Sequence, residues 1–285
     1  MLKVKIYRVV GDSSKLRTEE IRDEKGNVVF VRDHESDEVA DKRMEYDQEN
    51  RLVAESQILD DQEIEKRTFT YQANDEIKEE QHFIQGELYS ETKFQEQDKG
   101  YLQTILEDGE VIEYRQVETT ENGHIVEVKD GSNKLLQKSI KVFNKDKTQS
   151  ITEVFDEENG MNGKLIEFFD AKNRLVKAEE YGPDDEFYGA TQLTFENDLL
   201  TKEEYSNYNK NDVVSTVNYA YDSNKKLVQL EERDQSGNLQ RASVWVYNDQ
   251  GRLEIEKGLK VGNYDAVFGT GENSNNYELR YEYEG

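Results

Sequence analysis

The sequence predicts an all-β protein, an elongated antiparallel array of about ten β-hairpins with roughly twenty strands. Three observations lead to this prediction. An aromatic residue recurs at nearly constant spacing, each period carries two turn signals, and the chain combines 17 Tyr and 11 Phe with a single Pro. Tyr and Phe suit a pleated, half-buried surface, whereas flexible linkers are usually rich in Pro.

The recurring element starts with an aromatic residue, continues with Asp or Asn and several polar residues, and ends with a basic residue and Leu. Four copies overlay directly: residues 46–53 (YDQENRLV), 169–176 (FDAKNRLV), 221–228 (YDSNKKLV) and 247–254 (YNDQGRLE). We call its first position the lead residue. The lead residues follow one another at steps of 23 to 26: Tyr46, Tyr71, Phe94, Val117, Phe143, Phe169, Phe195, Tyr221 and Tyr247. A degraded copy precedes them at residues 22–29. A phase kept over nine positions indicates internal repeats.

Each repeat contains two turns and therefore two strands. The first turn follows the lead residue, where Asp or Asn tolerates left-handed backbone and binds its own chain. The second turn lies between copies and is marked by residues 85–86, 108–109, 130–131, 162–163, 182–184, 209–211 and 236–238, all rich in Gly, Asn or Asp. Strand–turn–strand units of this length predict hairpins.

Hairpins that stack in phase should align equivalent side chains. The lead aromatics would form one column, and the aliphatic residues after the first turn a second. This second column comprises Leu52, Ile77, Ile125, Ile151, Leu175, Leu200, Leu227 and Leu253. Only 34% of the residues are hydrophobic and 35% are charged, which fits a narrow core shared between neighbouring repeats.

The repeat pattern divides the chain into two regions. Residues 1–257 are predicted to be the β-hairpin repeat domain, and residues 258–285 an atypical C-terminal cap or tail. Within the tail, residues 277–283 (YELRYEY) predict one last strand. The segment Gly269–Thr270–Gly271 is too short a signal for a phosphate-binding loop.

The charge and the residue types exclude several classes of function. The net charge of −26 disfavours nucleic acid and anionic membranes, and it favours either plain solubility or a basic partner. The absence of Cys excludes disulfides, thiolate metal sites and Cys nucleophiles. No apolar run approaches the ~20 residues that span a bilayer. We therefore expect a cytoplasmic protein with a protein partner.

No catalytic, cofactor or metal site is predicted. The three histidines, His34, His82 and His124, lie at unrelated phases of the repeat, so stacking would not bring them together. Asp-rich turns such as residues 47–50 could offer oxygen ligands to Ca²⁺, but Asx turns explain them as well. The only Trp, Trp245, is a candidate anchor for a partner and equally a candidate for packing within the sheet.

The element YDxxxRLV resembles the tyrosine-aspartate repeats of Rhs and related bacterial polymorphic-toxin proteins, in which short hairpins wind into long β-sheets. The stretches at residues 85–89 (QGELY) and 162–165 (NGKL) are similar to the MORN-variant repeats of YwqK-type antitoxins. The resemblance covers roughly residues 20–257. The sequence departs from both families in its sparse Gly, and from Rhs shells also in its single Trp.

Three functions are compatible with these observations. The leading hypothesis is a non-enzymatic antitoxin or immunity-type protein that offers an acidic sheet face to a basic toxin domain. The alternative is a structural or surface-associated β-repeat protein, a spacer or shell fragment whose role is its shape. A third is an enzyme that acts on polysaccharide through aromatic rows and paired carboxylates. A toxin gene next to this one would favour the first hypothesis.

Overall fold

The computed structural model describes residues 1–34, 41–208, 212–260 and 276–285. These residues form 22 β-strands and no helix, which confirms the predicted all-β hairpin array. No helix in this described part of the chain is long and apolar enough to cross a membrane.

The chain divides into two compact units. The first comprises Met1–Leu2, Glu20–Ile166 and Tyr181–Glu186, and the second Lys3–Glu19, Glu167–Glu180 and Phe187–Gly285. The strands are β1 (Leu2–Val10), β2 (Ser13–Arg22), β3 (Val28–Asp33), β4 (Asp41–Tyr46), β5 (Leu52–Leu59), β6 (Gln62–Tyr71), β7 (Ile77–Ile84), β8 (Glu87–Gln97), β9 (Gly100–Glu107), β10 (Glu110–Thr120), β11 (Gly123–Asp130), β12 (Leu135–Phe143), β13 (Gln149–Phe155), β14 (Met161–Phe169), β15 (Leu175–Tyr181), β16 (Phe187–Glu196), β17 (Leu199–Asn207), β18 (Val213–Tyr221), β19 (Leu227–Asp234), β20 (Leu239–Tyr247), β21 (Leu253–Lys260) and β22 (Asn276–Glu284).

Strands that follow one another in sequence are neighbours in both units. In the first unit, each strand from β3 to β12 pairs antiparallel with the next. In the second unit, β16 to β22 pair in the same way, and β22 pairs in addition with β1, Tyr281 lying opposite Ile6. The last strand, predicted from the tail sequence, therefore lies between β21 and the first strand of the chain.

One turn type connects many of these strands. Ten turns in the described residues span five positions, with hydrogen bonds that join the first residue to the fourth and to the fifth. The fourth residue always has a positive φ, for example +72° at Asn50, +61° at Asn173 and +79° at Gly237. The first residue is mostly Asp or Asn, whose side chain accepts backbone N–H groups inside the turn, as Asp170 does from Lys172 and Arg174. These contacts are the reason that the motif places Asp or Asn after the lead residue.

Other hairpins close with two-residue turns in which both residues have positive φ, such as Asp60–Asp61 and Gln85–Gly86. This turn matches the twist of the flanking strands. The predicted turn at residues 162–163 is wrong, because Asn162 and Gly163 lie inside β14 and the chain turns earlier, at residues 156–160. Gly163 instead permits close packing, since a Cβ there would lie 3.1 Å from the Tyr181 carbonyl oxygen. The predicted turn at residues 209–211 lies outside the described residues.

Seven lead residues end or almost end a strand directly before a turn, as predicted. Phe94 and Val117 do not, because each lies three residues before the end of its strand. Both belong to the stretch with 23-residue steps, where short turns replace the five-residue turn and the strands are longer. The constant spacing therefore hides a change in the position of the lead residue along the hairpin.

The hydrophobic core is thin. Among the described residues, the buried apolar side chains are Val4, Ala54, Ile58 and Leu279, and the buried polar ones Ser56, Ser150, Glu179 and Ser206. Small residues and paired polar groups fill much of the interior, as in the hydrogen bond from Ser56 Oγ to Glu63 Oε2 over 2.7 Å. Stability must therefore come in large part from strand pairing and from contacts between repeats.

Candidate functional site

The contact between successive repeats is built around the basic residue of the motif. In the first unit this residue is Arg51, the fifth position of its turn. Its Nε donates to Asp47 Oδ2 over 2.7 Å, and a terminal nitrogen donates to Asp75 Oδ1 over 2.7 Å in the next five-residue turn. Its guanidinium carbon lies 4.8 Å from the centre of the Tyr71 ring, the next lead residue. One side chain therefore braces its own turn, binds the next turn and covers an aromatic ring. We call this position the capping residue.

The covered ring is fixed by its own hydroxyl. Tyr71 donates to the carbonyl oxygen of Leu52 over 2.6 Å. Four more tyrosines make the same bond to the aliphatic residue after the preceding first turn: Tyr46 to Val28, Tyr221 to Leu200, Tyr247 to Leu227 and Tyr283 to Leu253, over 2.7 to 3.1 Å. The two predicted columns thus touch, and the hydroxyl is the link between them.

The second unit repeats the capping arrangement. Arg174 binds Asp170 Oδ2 over 2.6 Å and Asp198 Oδ1 over 3.1 Å, and its guanidinium carbon lies 4.4 Å from the centre of the Phe195 ring. Lys226 and Arg252 cover Tyr247 and Tyr283 at 4.7 and 5.2 Å. Tyr283 therefore acts as a further lead residue, which the sequence reasoning missed because residues 261–275 interrupt the repeat spacing.

The first capping position of the first unit is different. Asn27 is the fifth residue of the turn that precedes Tyr46, so it is equivalent to Arg51. Its side-chain nitrogen donates to Asp23 Oδ2 over 2.9 Å in its own turn and to Asn50 Oδ1 over 2.6 Å in the next. Asn27 thus reproduces both polar contacts of the arginine, but it is too short to cover the ring. Within the described residues, no cationic side chain lies over Tyr46.

A surface cavity of about 960 Å³ occurs at this position and is lined by Tyr46, by the two flanking turns and by Met1 and Val29. The charged lining side chains are the carboxylates of Asp23, Glu24, Asp47 and Glu49 and the cations of Lys25 and Arg51. The Asn27 side chain lowers the pKa of Asp23, and the Arg51 backbone N–H lowers that of Asp47, so both carboxylates stay ionised near neutral pH. The lining therefore carries more negative than positive charge.

Both cationic side chains of the lining are already bound. Lys25 Nζ donates to the carbonyl oxygen of Gln48 over 3.0 Å, and Arg51 is held by Asp47 and Asp75. The Glu24 carboxylate, by contrast, is exposed and forms no ion pair with the described residues. The arrangement is suited to attract a positive group that comes from outside.

The three histidines lie on separate elements. His34 follows β3, His82 lies in β7 and His124 in β11, with three strands between the last two. His82 Nε2 is buried 2.9 Å from Glu65 Oε1, without an aligned hydrogen bond, and the His82 ring packs edge-on against Tyr89 at 5.7 Å. His82 therefore belongs to a local polar cluster.

One pair of carboxylates stands out in the first unit. Glu79 and Glu91 lie on the paired strands β7 and β8, and the interaction with the Glu91 carboxyl group raises the pKa of Glu79. Lys93 and Gln81 lower the pKa of Glu91 to about 2. The Glu91 carboxyl is thus stabilised in its charged form and the Glu79 carboxyl in its protonated form.

Trp245 lies in β20 directly opposite Glu256 of β21 and is half-buried, while its neighbours Val244 and Val246 point to the more exposed face. Its role as an anchor for a partner stays a prediction. In the Asp-rich turns, Asp47 accepts a hydrogen bond from the backbone N–H of Arg51, and Asp222 accepts one from that of Lys226. In the part of the chain that the structure covers, no group of three or more His, Asp or Glu residues is placed to hold a metal ion.

Comparisons with known proteins give structural similarity only. No protein-family model and no curated protein matches the sequence. Among solved structures, the chain is similar to TcdB2-TccC3 (13% identity, TM-score 0.32, 96% of this chain and 14% of that one). It is also similar to the Photorhabdus luminescens Tc holotoxin pore (11% identity, TM-score 0.29, 98% and 18%). A porin-like protein from Bacteroides uniformis matches over 99% of this chain and 97% of its own, with 10% identity and a TM-score of 0.32.

Proposed function

We propose that this chain is a non-enzymatic repeat protein that binds a basic protein domain, as an antitoxin or immunity-type protein of a polymorphic-toxin system. The observation that carries the proposal is the acidic excess of 26 charges, combined with the internal use of basic side chains. Lys129 and Lys138 both bind Glu127, and Lys257 and Arg280 both bind Glu278. Because such cations are committed within the protein, the field that a partner meets is negative.

The resemblance of the YDxxxRLV element to repeats of polymorphic-toxin proteins supports the same class of partner. Complementary charge accelerates association and excludes acidic competitors. A toxin domain with a basic surface is therefore the kind of protein that this surface would select.

Co-expression with the product of the neighbouring gene tests the proposal. If that product is a basic toxin, cells that produce it alone should stop growing, and co-expression of this chain should restore growth. Binding of the purified proteins should weaken at least about tenfold between about 50 mM and about 500 mM NaCl, because salt screens the attraction. An unrelated acidic protein of similar charge serves as the control and should not restore growth. No binding at low salt, or no rescue, would contradict the proposal.

A structural spacer is the second candidate, and the bracing of successive turns by Arg51 and Arg174 favours it, because such contacts stabilise shape. A spacer needs no toxin partner. The same experiment therefore separates the two functions: a spacer would neither restore growth nor bind the neighbouring product in a salt-dependent way.

A further inference from the structure

We infer that the cavity at Tyr46 is a binding site for an arginine side chain of a partner protein, whose guanidinium group would stack on the Tyr46 ring. This inference deepens the proposed function, since it names the chemical group that the partner presents. It rests on a comparison within the protein. A basic side chain covers the rings of Tyr71, Phe195, Tyr247 and Tyr283, whereas no described cation covers the equivalent ring of Tyr46.

The occupied positions show what the site accepts. At Tyr71 and Phe195 the protein itself places a guanidinium group 4.8 and 4.4 Å from the ring centre. In both cases the group is also held by the Asp at the first position of the turn and by an Asp in the next turn. Arginine suits this arrangement because its flat group stacks on the ring while its N–H groups bind carboxylates.

At Tyr46 the turn and the ring are kept, but Asn27 replaces the arginine, and Asn50 stands where the next turn elsewhere has Asp75 or Asp198. The turn at residues 23–27 has the same backbone hydrogen bonds as the turn at residues 47–51. Tyr46 still donates to the Val28 carbonyl oxygen over 3.1 Å, so its ring is held as the other lead rings are. The guanidinium group over the ring is missing, because Asn27 stands at the capping position and makes only the polar contacts.

The cavity supplies the space and the charge for an external group. Its volume of about 960 Å³ exceeds what one side chain needs. Glu24 offers a carboxylate without an ion pair in the described residues, and Glu49 lies 3.5 Å from Arg51 with 62% of its side chain exposed. An entering guanidinium group would thus meet an aromatic face and carboxylates together.

Tyr221 provides an internal comparison. It also lacks a covering cation among the described residues. The reason differs, because the preceding lead residue, Phe195, is followed by the two-residue turn at Asn197–Asp198, which has no capping position. Tyr221 donates to the Leu200 carbonyl oxygen over 2.9 Å, so it is otherwise equivalent to Tyr46. It is therefore the matched control residue.

The test uses the intact chain and N-acetyl-arginine methylamide, with the uncharged citrulline analogue as the control ligand. Titration followed by NMR should shift the Tyr46 ring resonances, and citrulline should bind at least about tenfold more weakly. The Tyr46→Leu substitution should abolish the arginine response, whereas Tyr221→Leu, which removes an equivalent hydroxyl bond, should leave it intact. Equal binding of citrulline, or loss of binding in Tyr221→Leu alone, would overturn the inference.

Two capping variants test the equivalence in both directions. Asn27→Arg should fill the cavity from within, abolish the arginine response and raise the melting temperature. Arg51→Asn should create a second responsive ring at Tyr71. Unchanged arginine binding in Asn27→Arg would refute the inference even if Tyr46→Leu failed to fold. Since the ligand is a small molecule, a positive result here stands even if no toxin partner is found, and a negative one leaves the co-expression test unaffected.

Discussion

The hydroxyl of Tyr71 donates to the Leu52 carbonyl oxygen over 2.6 Å in a part-buried site. Tyr71→Phe removes this bond and leaves the ring under Arg51. We expect the free energy of unfolding to fall by about 0.5–1.5 kcal/mol, the usual net contribution of such a bond, as measured by urea denaturation. Tyr101→Phe is the control, because the Tyr101 hydroxyl has no hydrogen bond to a described residue. Equal effects of the two substitutions would show that the repeated bond does not stabilise the array.

The pair Glu79–Glu91 should make stability depend on pH. The pKa of Glu79 is raised by its contact with Glu91, so Glu79 contributes stability when it is protonated and loses that contribution as pH rises through its folded-state pKa. Glu79→Gln keeps a hydrogen-bond donor and removes the repulsion. We therefore expect this variant to be more stable than the parent near pH 8, with the difference shrinking near pH 4, in urea denaturation at both pH values.

The control for this experiment is Glu80→Gln, which removes a charge from the other face of β7 without touching the pair. Glu91 adds the opposite dependence, since Lys93 and Gln81 lower its pKa to about 2 and its contribution is lost as pH falls towards that value. A Glu79→Gln advantage that grows as pH falls would contradict the assignment.

Individual side chains were predictable from the sequence only where their role is local. Asp47 and Asp170 bind backbone groups within their own turns, so the motif alone indicated their function. The role of Asn27 needs a comparison between turns that are 24 residues apart, together with the position of the ring between them. The sequence does show that Asn replaces Arg or Lys in this copy, but only the structure shows that the replaced residue would have covered Tyr46.

In the five-residue turns, the fourth residue must adopt a left-handed backbone, and the energetic cost of this conformation differs between residue types. Lys225 has φ +64° there and Gly237 has φ +79°. Lys225→Gly should raise the free energy of unfolding by up to about 1 kcal/mol, because Gly relieves the strain of a Cβ at positive φ. The greater freedom of Gly in the unfolded chain offsets part of this gain. The measurement is the urea midpoint at constant slope.

Gly237→Ala is the reciprocal variant and should destabilise by about 1 kcal/mol, since a positive φ disfavours Ala. A Cβ at Gly237 would meet no atom within 4 Å, so a clash would not confuse the result. If both substitutions changed the free energy of unfolding in the same direction, the backbone conformation of the turn would not control stability.

The elements themselves were largely predictable, because turn residues recur from copy to copy and eight of the nine lead residues are aromatic. The error at residues 162–163 shows the limit of this reasoning. Asn-Gly has the same preference for turns in any sequence, but Asp156 and Asn159 already supply an Asx side chain and a left-handed residue six and three positions earlier. Gly123, which begins β11, allows a close approach of the next strand, since a Cβ there would lie 1.8 Å from the Lys141 carbonyl oxygen.

For the chain as a whole, periodicity predicted the class and the approximate strand number but not the pairing of β1 with β22. That pair joins residues such as Val4 and Tyr283, which share no repeat and are nearly the full chain apart in sequence. Local patterns carry no information about such a contact. The insertion at residues 261–275 also displaced Tyr283 from the phase, and for this reason its equivalence to the other lead residues became visible only through its bond to Leu253.

The net charge of −26 predicts a dependence of stability on salt for the whole molecule. Raising NaCl from about 10 mM to about 100 mM shortens the Debye length from about 30 Å to about 10 Å, which screens repulsion among distant carboxylates. The ion pairs at the surface weaken as well, but exposed pairs each contribute at most about 1 kcal/mol and many contribute nothing. We therefore expect the melting temperature, followed by circular dichroism, to rise with NaCl and to rise equally with KCl, because screening does not depend on the identity of the cation. A melting temperature that falls with salt would mean that the ion-pair ladder of Arg51, Arg174 and their equivalents outweighs the repulsion, and that attraction between repeats, not net charge, governs the electrostatics of this array.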